Sequence, residues 1–255
     1  MRKNSSMSKA VVVVPTYNES ENIERLLRTI FSLQREFHVL VVDDNSPDGT
    51  AKLVENYFSR YPEKLFLLNR AEKKGLGAAY IAGFKWALKN NYDYIFEMDA
   101  DFSHNPNDLI RLFNACQKNG NDLAIGSRYV KGVNVVNWPM SRVLLSWLAS
   151  RYVQFVMRMN IYDATAGFIC YRRSVLEKIN LDNIRFVGYA FQIEMKFKAY
   201  ISNFKIKEVP VIFTDRTKGE SKMSSGIISE AIFGVIGMKF KSVFNRKRFN
   251  EKSFH

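Results

Sequence analysis

Three short runs concentrate the side chains that could do chemistry: Pro15-Thr16-Tyr17-Asn18-Glu19, Asp43-Asp44-Asn45-Ser46-Pro47-Asp48-Gly49-Thr50 and Asp99-Ala100-Asp101-Phe102-Ser103-His104. Carboxylates gathered this closely repel one another unless a cation or several donors satisfy them. Asp99 and Asp101 are hard oxygen donors of the kind Mg2+ or Mn2+ accepts, commonly as one or two carboxylates completed by substrate phosphates. The plainer alternative is that this pair only caps the helix that follows. Zinc is disfavoured, because no Cys/His cluster lies nearby. With His38, His104 and His255 the sole histidines, and no Ser or Cys framed as an activated nucleophile, a His-based triad is improbable. His38 opens a strand and reads as structural, whereas His104 stands beside the aspartate pair and could orient its loop.

The cations missing from these runs occur later. Arg128 follows an apolar run in Gly126-Ser127-Arg128-Tyr129, and Arg216 and Lys222 lie in Asp215-Arg216-Thr217-Lys218-Gly219-Glu220-Ser221-Lys222. Glycine and serine make that last stretch adaptable enough for its cations to close over a phosphorylated ligand; an ordinary solvated loop is the alternative. Lys74-Gly75-Leu76-Gly77-Ala78-Ala79 has the look of a dinucleotide fingerprint but follows the third strand candidate, which argues against a Rossmann dehydrogenase. Gly75 and Gly77 are better read as allowing close packing at a helix start. No GxxxxGK[ST] is present, which removes P-loop nucleotidases.

These residues need a frame that brings them together. Strand candidates are 10–14, 38–42, 64–68, 94–98 and 122–126, with helix candidates Glu21–Leu33, Thr50–Tyr61, Gly77–Asn90 and Pro106–Asn119 between them. Fully apolar strands alternating with helices of this length indicate a mostly parallel sheet covered on both faces, an α/β fold. Asn105 is placed to cap the fourth helix, with Pro106 in its first turn. Beyond residue 127 the expected order is a loop over 128–137, an apolar helix over 138–159, a strand near Gly167–Tyr171, helices at Arg173–Lys178 and Tyr189–Ile201, a strand over Lys205–Phe213, a polar loop over 214–225 and a last apolar helix. Ligands in such sheets bind outside the carboxyl ends of the strands, where all three acidic runs fall. The expected division is a basic tail over 1–9, a catalytic domain over 10–225 including the 138–159 helix, and a C-terminal amphipathic helix with a basic tail over 226–255.

The charge is uneven. The net charge is +13, yet residues 11–127 hold 13 basic and 16 acidic side chains, whereas 128–255 hold 22 and 9. A basic half suits nucleic acid, an anionic membrane or a phosphorylated substrate; nucleic acid is disfavoured because no reader motif is found. Two cysteines exclude a disulfide framework. The apolar stretches 138–159 and 226–244 carry spaced charges, among them Arg142, Arg151 and Arg158 in the first, and so fit an interfacial position better than a span. The apolar run at 10–14 is too short for the core of a signal peptide.

Eight segments in order, PTYNESENI (15–23), VVDDNSPDGT (41–50), GLGAAYIAGF (75–84), MDADFSHNP (98–106), GSRYVKG (126–132), ATAGF (164–168), GYAFQIEM (188–195) and DRTKGESKM (215–223), resemble family 2 glycosyltransferases of GT-A fold, specifically the dolichol- and polyprenol-phosphate mannose synthases. The resemblance implies an α/β/α sandwich that moves mannose, with inversion, from GDP-mannose to a polyprenyl or dolichyl phosphate at the cytoplasmic face of a membrane, as a peripheral protein. Carried over by position, Pro15, Tyr17, Glu19, Val42 and Asp44 would hold the guanosine part. Asp99, Ala100 and Asp101 would contact the donor, and Asp99, Asp101 and Ser103 would place the metal, although some relatives carry Gln at the last position. Arg128, Arg216 and Lys222 would bind the donor diphosphate and the acceptor phosphate. Other outcomes kept open are hexosyl transfer from a UDP-sugar such as UDP-glucose, nucleotidyl transfer, and a non-enzymatic binder of anionic membranes.

Overall fold

The computed structural model describes residues 8–215 and 234–240. Arg216, Lys222, residues 1–7 of the N-terminal tail, the C-terminal basic tail and most of the last apolar stretch lie outside the described residues.

The run Ala10–Thr16 forms β1, whose Val11–Val14 are wholly excluded from solvent. It lies between β2 (His38–Asp43) and β4 (Tyr94–Glu97), parallel to both, and β3 (Leu65–Asn69) adds parallel to β2. β-Branched side chains on both faces favour this arrangement, because a central parallel strand has no solvent side. Beyond β4 the sheet continues through β7 (Ile169–Arg172), β5 (Leu123–Ser127) and β8 (Ile206–Pro210), giving the order β3-β2-β1-β4-β7-β5-β8. β7 is antiparallel to both its neighbours. Its first residue therefore sits on the rim where β1, β2, β4, β5 and β8 end.

Alternation along β1 and β2 splits the core into two layers. Val12, Val14, Val39 and Val41 pack with α1 (Ile23–Phe31), α2 (Thr50–Glu55) and α4 (Asp108–Gln117). Val11, Val13, Leu40 and Val42 pack with α3 (Leu76–Lys89), α5 (Met140–Met157), α6 (Arg173–Lys178) and α7 (Tyr189–Ile201). α3 lies flush on the sheet at Gly83, where an added Cβ would stand 2.4 Å from a methyl of Val13.

Several expectations shift. The second helix ends at Glu55, because the amides of Tyr57, Phe58 and Arg60 bond three residues back and tighten the following chain into turns. Asn105 caps a turn ahead of α4 instead of the helix itself: its Oδ1 accepts from the Asn107 amide at 3.0 Å, and α4 begins at Asp108. The 128–137 loop contains β6 (Val135–Val136), and the strand expected over 205–213 divides into β8 and β9 (Phe213–Thr214), which pairs with β6. Pro210 ends β8, since it has no amide to extend a ladder. Residues 234–240 are helical; Val235 is buried in the α3 layer, whereas Ile236 and Phe240 are exposed.

Candidate active site on the carboxyl rim

The register sets Thr16 beside Asp43 and Val13 beside Glu97, so the three acidic runs leave the sheet along one edge. The first two interlock. Asp43 accepts from the Thr16 hydroxyl at 2.7 Å and from the Ser46 amide and hydroxyl at 2.8 and 2.6 Å. Asp48 accepts from the Ser20 amide and from the amide and hydroxyl of Thr50. Burial pushes the Asp48 carboxyl upward, but these donors outweigh it and hold the group below the ordinary carboxylate range. Asn18 and Asn45 take left-handed backbone (φ 61° and 58°), a conformation asparagine tolerates.

Of the residues assigned to the nucleoside, Pro15, Tyr17 and Glu19 are partly exposed on this edge. Lys73 stands 3.9 Å over the Tyr17 ring, and Asn22 donates to Glu19. Asp44 is buried against Arg70, Oδ1 to Nη1 at 2.7 Å. Burial raises its carboxyl above the usual range, the Asp43 charge adds to that, and Arg70 and Lys73 oppose it. Val42 is wholly buried in the core between Val13 and α3. A ligand reaching that position would therefore meet backbone, not the valine side chain.

The third run is more constrained. Asp99 accepts from the Tyr80 hydroxyl of α3 at 3.0 Å, and its own amide donates to His104 Nδ1 at 3.2 Å. His104 is buried and stacked on Phe168; burial lowers it to about 4, so the ring is neutral and its Nδ1 can accept. The Ser103 amide donates to Asp101 Oδ1 at 3.0 Å, while the intervening Phe102 adopts φ 61°, a costly conformation for a bulky residue. Arg25 lies 4.5 Å over the Phe102 ring and holds it. Ala100 is buried beneath the turn. No cluster of three or more His, Cys, Asp or Glu able to hold a metal occurs among the described residues. The donor set is thus two partly buried carboxylates and the buried Ser103 hydroxyl, whose Oγ has no hydrogen-bond partner. That set fits a hard divalent cation whose remaining positions are filled by phosphate oxygens.

Arg128, expected among the cations that bind the phosphates, is enclosed. It is 7% exposed, and its backbone N, Nε and Nη2 all donate to Asp163, at 2.9, 2.7 and 2.6 Å. Nη2 also donates to Thr165 Oγ1 at 2.8 Å, and Tyr129, Trp138 and Phe213 surround the guanidinium. Asp163 is fully buried; burial raises its carboxyl, but the charge and hydrogen bonds of Arg128 more than reverse this. Asp163 was missed by the sequence reading; the signal that could have found it is that it is the one acid between Asp122 and Glu177 in a basic stretch. Tyr80, Arg70 and Lys73 carried no such mark, because only the fold brings them to the rim. At the helix start, Gly75 has φ 95°, and Gly77 lies so near Phe191 that a Cβ would be 2.8 Å from its ring. Close packing therefore accounts for both.

Beneath the rim lies a buried polar chain that the sequence did not disclose. Glu97 accepts from the Tyr171 hydroxyl at 2.7 Å and from Gln192 Nε2. Burial pushes its carboxyl up to about 7, against the pull of Gln192, Lys196 and Tyr171. Lys196, also wholly buried, donates to the carbonyls of Ala166 and Gln192, and burial lowers it to about 8.

Comparison with known proteins agrees with this geometry. Residues 11–180 match the profile of "Glycosyl transferase family 2". The chain is 45% identical over 240 residues to a polyprenol monophosphomannose synthase of Mycolicibacterium smegmatis, covering 94% of this chain and 90% of that protein. It is 44% identical over 227 residues to an undecaprenyl-phosphate mannosyltransferase of Micrococcus luteus, covering 89% and 92%. Among solved structures, a mannosyltransferase of Pyrobaculum calidifontis in complex with GDP-Man and Mn2+ superposes with a TM-score of 0.56 at 18% identity, over 85% of this chain and 59% of that one. The sheet with its single reversed strand, the acidic rim and the extent of these matches lead to one assignment: the chain is a glycosyltransferase and belongs to glycosyl transferase family 2.

Proposed function

We propose that this enzyme transfers mannose from GDP-mannose to the phosphate of a polyprenyl phosphate at a membrane surface, with a divalent cation, Mg2+ or Mn2+, held by Asp99, Asp101 and Ser103. The observation that carries this reading is the 45% identity to a polyprenol monophosphomannose synthase, which runs through both the acidic rim and the basic half. The structural neighbour with GDP-Man and Mn2+ has the same fold.

In this reading Tyr17, Glu19, Asp44 and the backbone at Pro15 and Val42 hold the guanosine, and the Ala100 backbone borders the donor. Breaking the bond between sugar and diphosphate builds negative charge on the departing GDP. A bound divalent cation would supply Lewis-acid stabilisation of that charge. Asp99 and Asp101 are kept ready for it by Tyr80, His104 and the turn at Phe102, so little rearrangement is needed when donor binds. Arg216 and Lys222 add charge for the two phosphates. Arg128, its charge matched by Asp163, orders the rim loop through Asp163 and Thr165 more than it serves as a free cation. The attacking oxygen belongs to a phosphate monoester with a second pKa near ~6. It is already ionised at neutral pH, so no general base is required, and the neutral His104 is free to remain a structural acceptor.

A polyprenyl chain resides in the bilayer, and α5 is suited to meet it. Met140, Leu144, Leu145, Leu148 and Phe155 are exposed on α5, with Arg142 and Arg151 over Trp138 and Trp147. No helix among the described residues is long and apolar enough to cross a membrane. Interfacial burial of such a face adds to the attraction of nearby cations for anionic lipid, about 1 kcal/mol each. The test is a screen of labelled nucleotide sugars against a short polyprenyl phosphate with and without Mg2+ or Mn2+. GDP-mannose should be the donor used, with GDP released. Preference for UDP-glucose, or release of pyrophosphate, would replace the reading.

A further inference from the structure

Two groups that the reaction does not touch, Glu97 and Lys196, are buried as completely as any side chain in the molecule. Burying a charge is costly without partners, so the presence of one at the carboxyl end of β4 and the other on α7 calls for a role. Glu97 sits on β4 two residues before Asp99, and its carboxylate is spanned by Tyr171 of β7 and Gln192 of α7. Lys196 is one helical turn beyond Gln192. It donates to the Gln192 carbonyl at 3.2 Å and, across to the rim, to the Ala166 carbonyl at 2.5 Å. Ala166 lies in the loop that carries Asp163 and Thr165, the two residues holding Arg128. One continuous chain therefore runs from β4, beneath the aspartate pair, through Gln192 and Lys196 to the loop that grips Arg128. Glu208 of β8 binds the amides of Tyr162 and Asp163 and fixes the same loop from its other side.

We propose that Glu97 and Lys196 are positioning residues for glycosyl transfer, joined through Gln192, which hold the aspartate end of β4 in register with the Asp163–Gly167 loop so that donor and acceptor meet in line. This rests on the function proposed above. Register between the two sides matters because a displacement of about 1 Å at a reacting centre can cost on the order of a hundred-fold in rate. Lys196→Met removes the cation and its bonds to the loop but keeps the apolar volume. Glu97→Gln removes the anion but keeps both hydrogen-bonding positions, since the Gln192 amide can turn its unpartnered Oε1 toward the new donor. Replacing both buried charges by neutral groups of similar size is often neutral for stability, whereas each single variant leaves one charge without its counterpart. The kinetics of the singles are therefore read beside their melting temperatures and against the double variant.

The test is a double-mutant cycle on the full-length enzyme, with wild type, K196M, E97Q and K196M/E97Q compared for thermal melting, Mn2+ affinity by electron paramagnetic resonance, and steady-state kinetics with GDP-mannose and a short polyprenyl phosphate. The proposal expects kcat to fall about ten-fold or more in each single variant. Mn2+ affinity and KM for GDP-mannose should stay within about two-fold, and the double variant should be no slower than the slower single, because the two act as a unit. Unchanged kcat in both singles, or losses that multiply in the double variant and track a falling melting temperature, would overturn it. If wild type itself fails with GDP-mannose, the functional reading fails separately, and the same cycle is run with whichever donor the screen identifies.

Discussion

At the scale of residues, the site depends on a few side chains whose environments set their charge. Asp101 is partly exposed and accepts from the Ser103 amide across the Phe102 turn. Asp101→Asn should therefore abolish most turnover, a hundred-fold or more, while shifting the melting temperature little; thermal melts beside initial rates check this. Arg216→Ala and Lys222→Ala should each slow transfer without weakening Mn2+ binding, and wild-type rates in both variants would remove their phosphate role. His104 makes a pH prediction with a definite sign. Its folded value, about 4, lies below the ordinary histidine value of 6.5. The unfolded chain thus takes up the proton first, and stability present above pH 6.5 is lost as pH falls from 6.5 toward 4, by roughly 3 kcal/mol in all. Glu97, its carboxyl raised to about 7, takes up a proton in the folded chain over the same range and works with the opposite sign. The readout is therefore a difference: as pH falls from 7 to 5, the melting temperature of His104→Asn should rise relative to that of wild type. Arg128 and Asp163 form a buried pair, and Asp163→Ala would leave the guanidinium uncompensated at a cost of about 3–5 kcal/mol, measurable by urea denaturation.

At the scale of elements, the parallel strands were legible because each is an apolar, β-branched run between turn residues, and their carboxyl ends located the chemistry. The antiparallel insertion of β7 was not legible: the 169–172 run reads the same in either direction, and only pairing with both β4 and β5 orients it. Helix ends were harder than helix centres, as the early stop of α2 shows, because the tightened turns after Glu55 depend on contacts such as Arg28 with Tyr57. Arg128 was found by its position after β5, but its enclosure by Asp163 depends on a partner 35 residues away that has no fixed spacing. The buried Glu97 and Lys196 were missed for the same reason: in sequence Glu97 looks like a charge at a strand's end and Lys196 like a charge on the solvent face of a helix. Close packing also yields a prediction. Gly83→Ala should destabilise by about 1–3 kcal/mol through overpacking against β1, seen as a lowered denaturation midpoint with unchanged slope.

At the scale of the whole molecule, the acidic rim and the basic half are complementary parts of one task, bringing two anionic substrates together without mutual repulsion. The exposed apolar side chains of α5 share the helix with Arg151 and with Arg142, the latter paired with Asp215, and with no acid of the helix itself. Leu144→Asp combined with Leu148→Asp should reduce flotation with anionic liposomes while leaving the fold intact, and unchanged flotation would move the membrane contact elsewhere. The central claim, metal-dependent mannosyl transfer to a lipid phosphate, is tested most directly by incubating the enzyme with radiolabelled GDP-mannose, a short polyprenyl phosphate and Mn2+, then partitioning the products between water and organic solvent. The account predicts label in the organic phase that disappears with EDTA and with Asp101→Asn. Label that stays in the aqueous phase while another nucleotide sugar labels the lipid, or transfer that persists undiminished in EDTA, would contradict it.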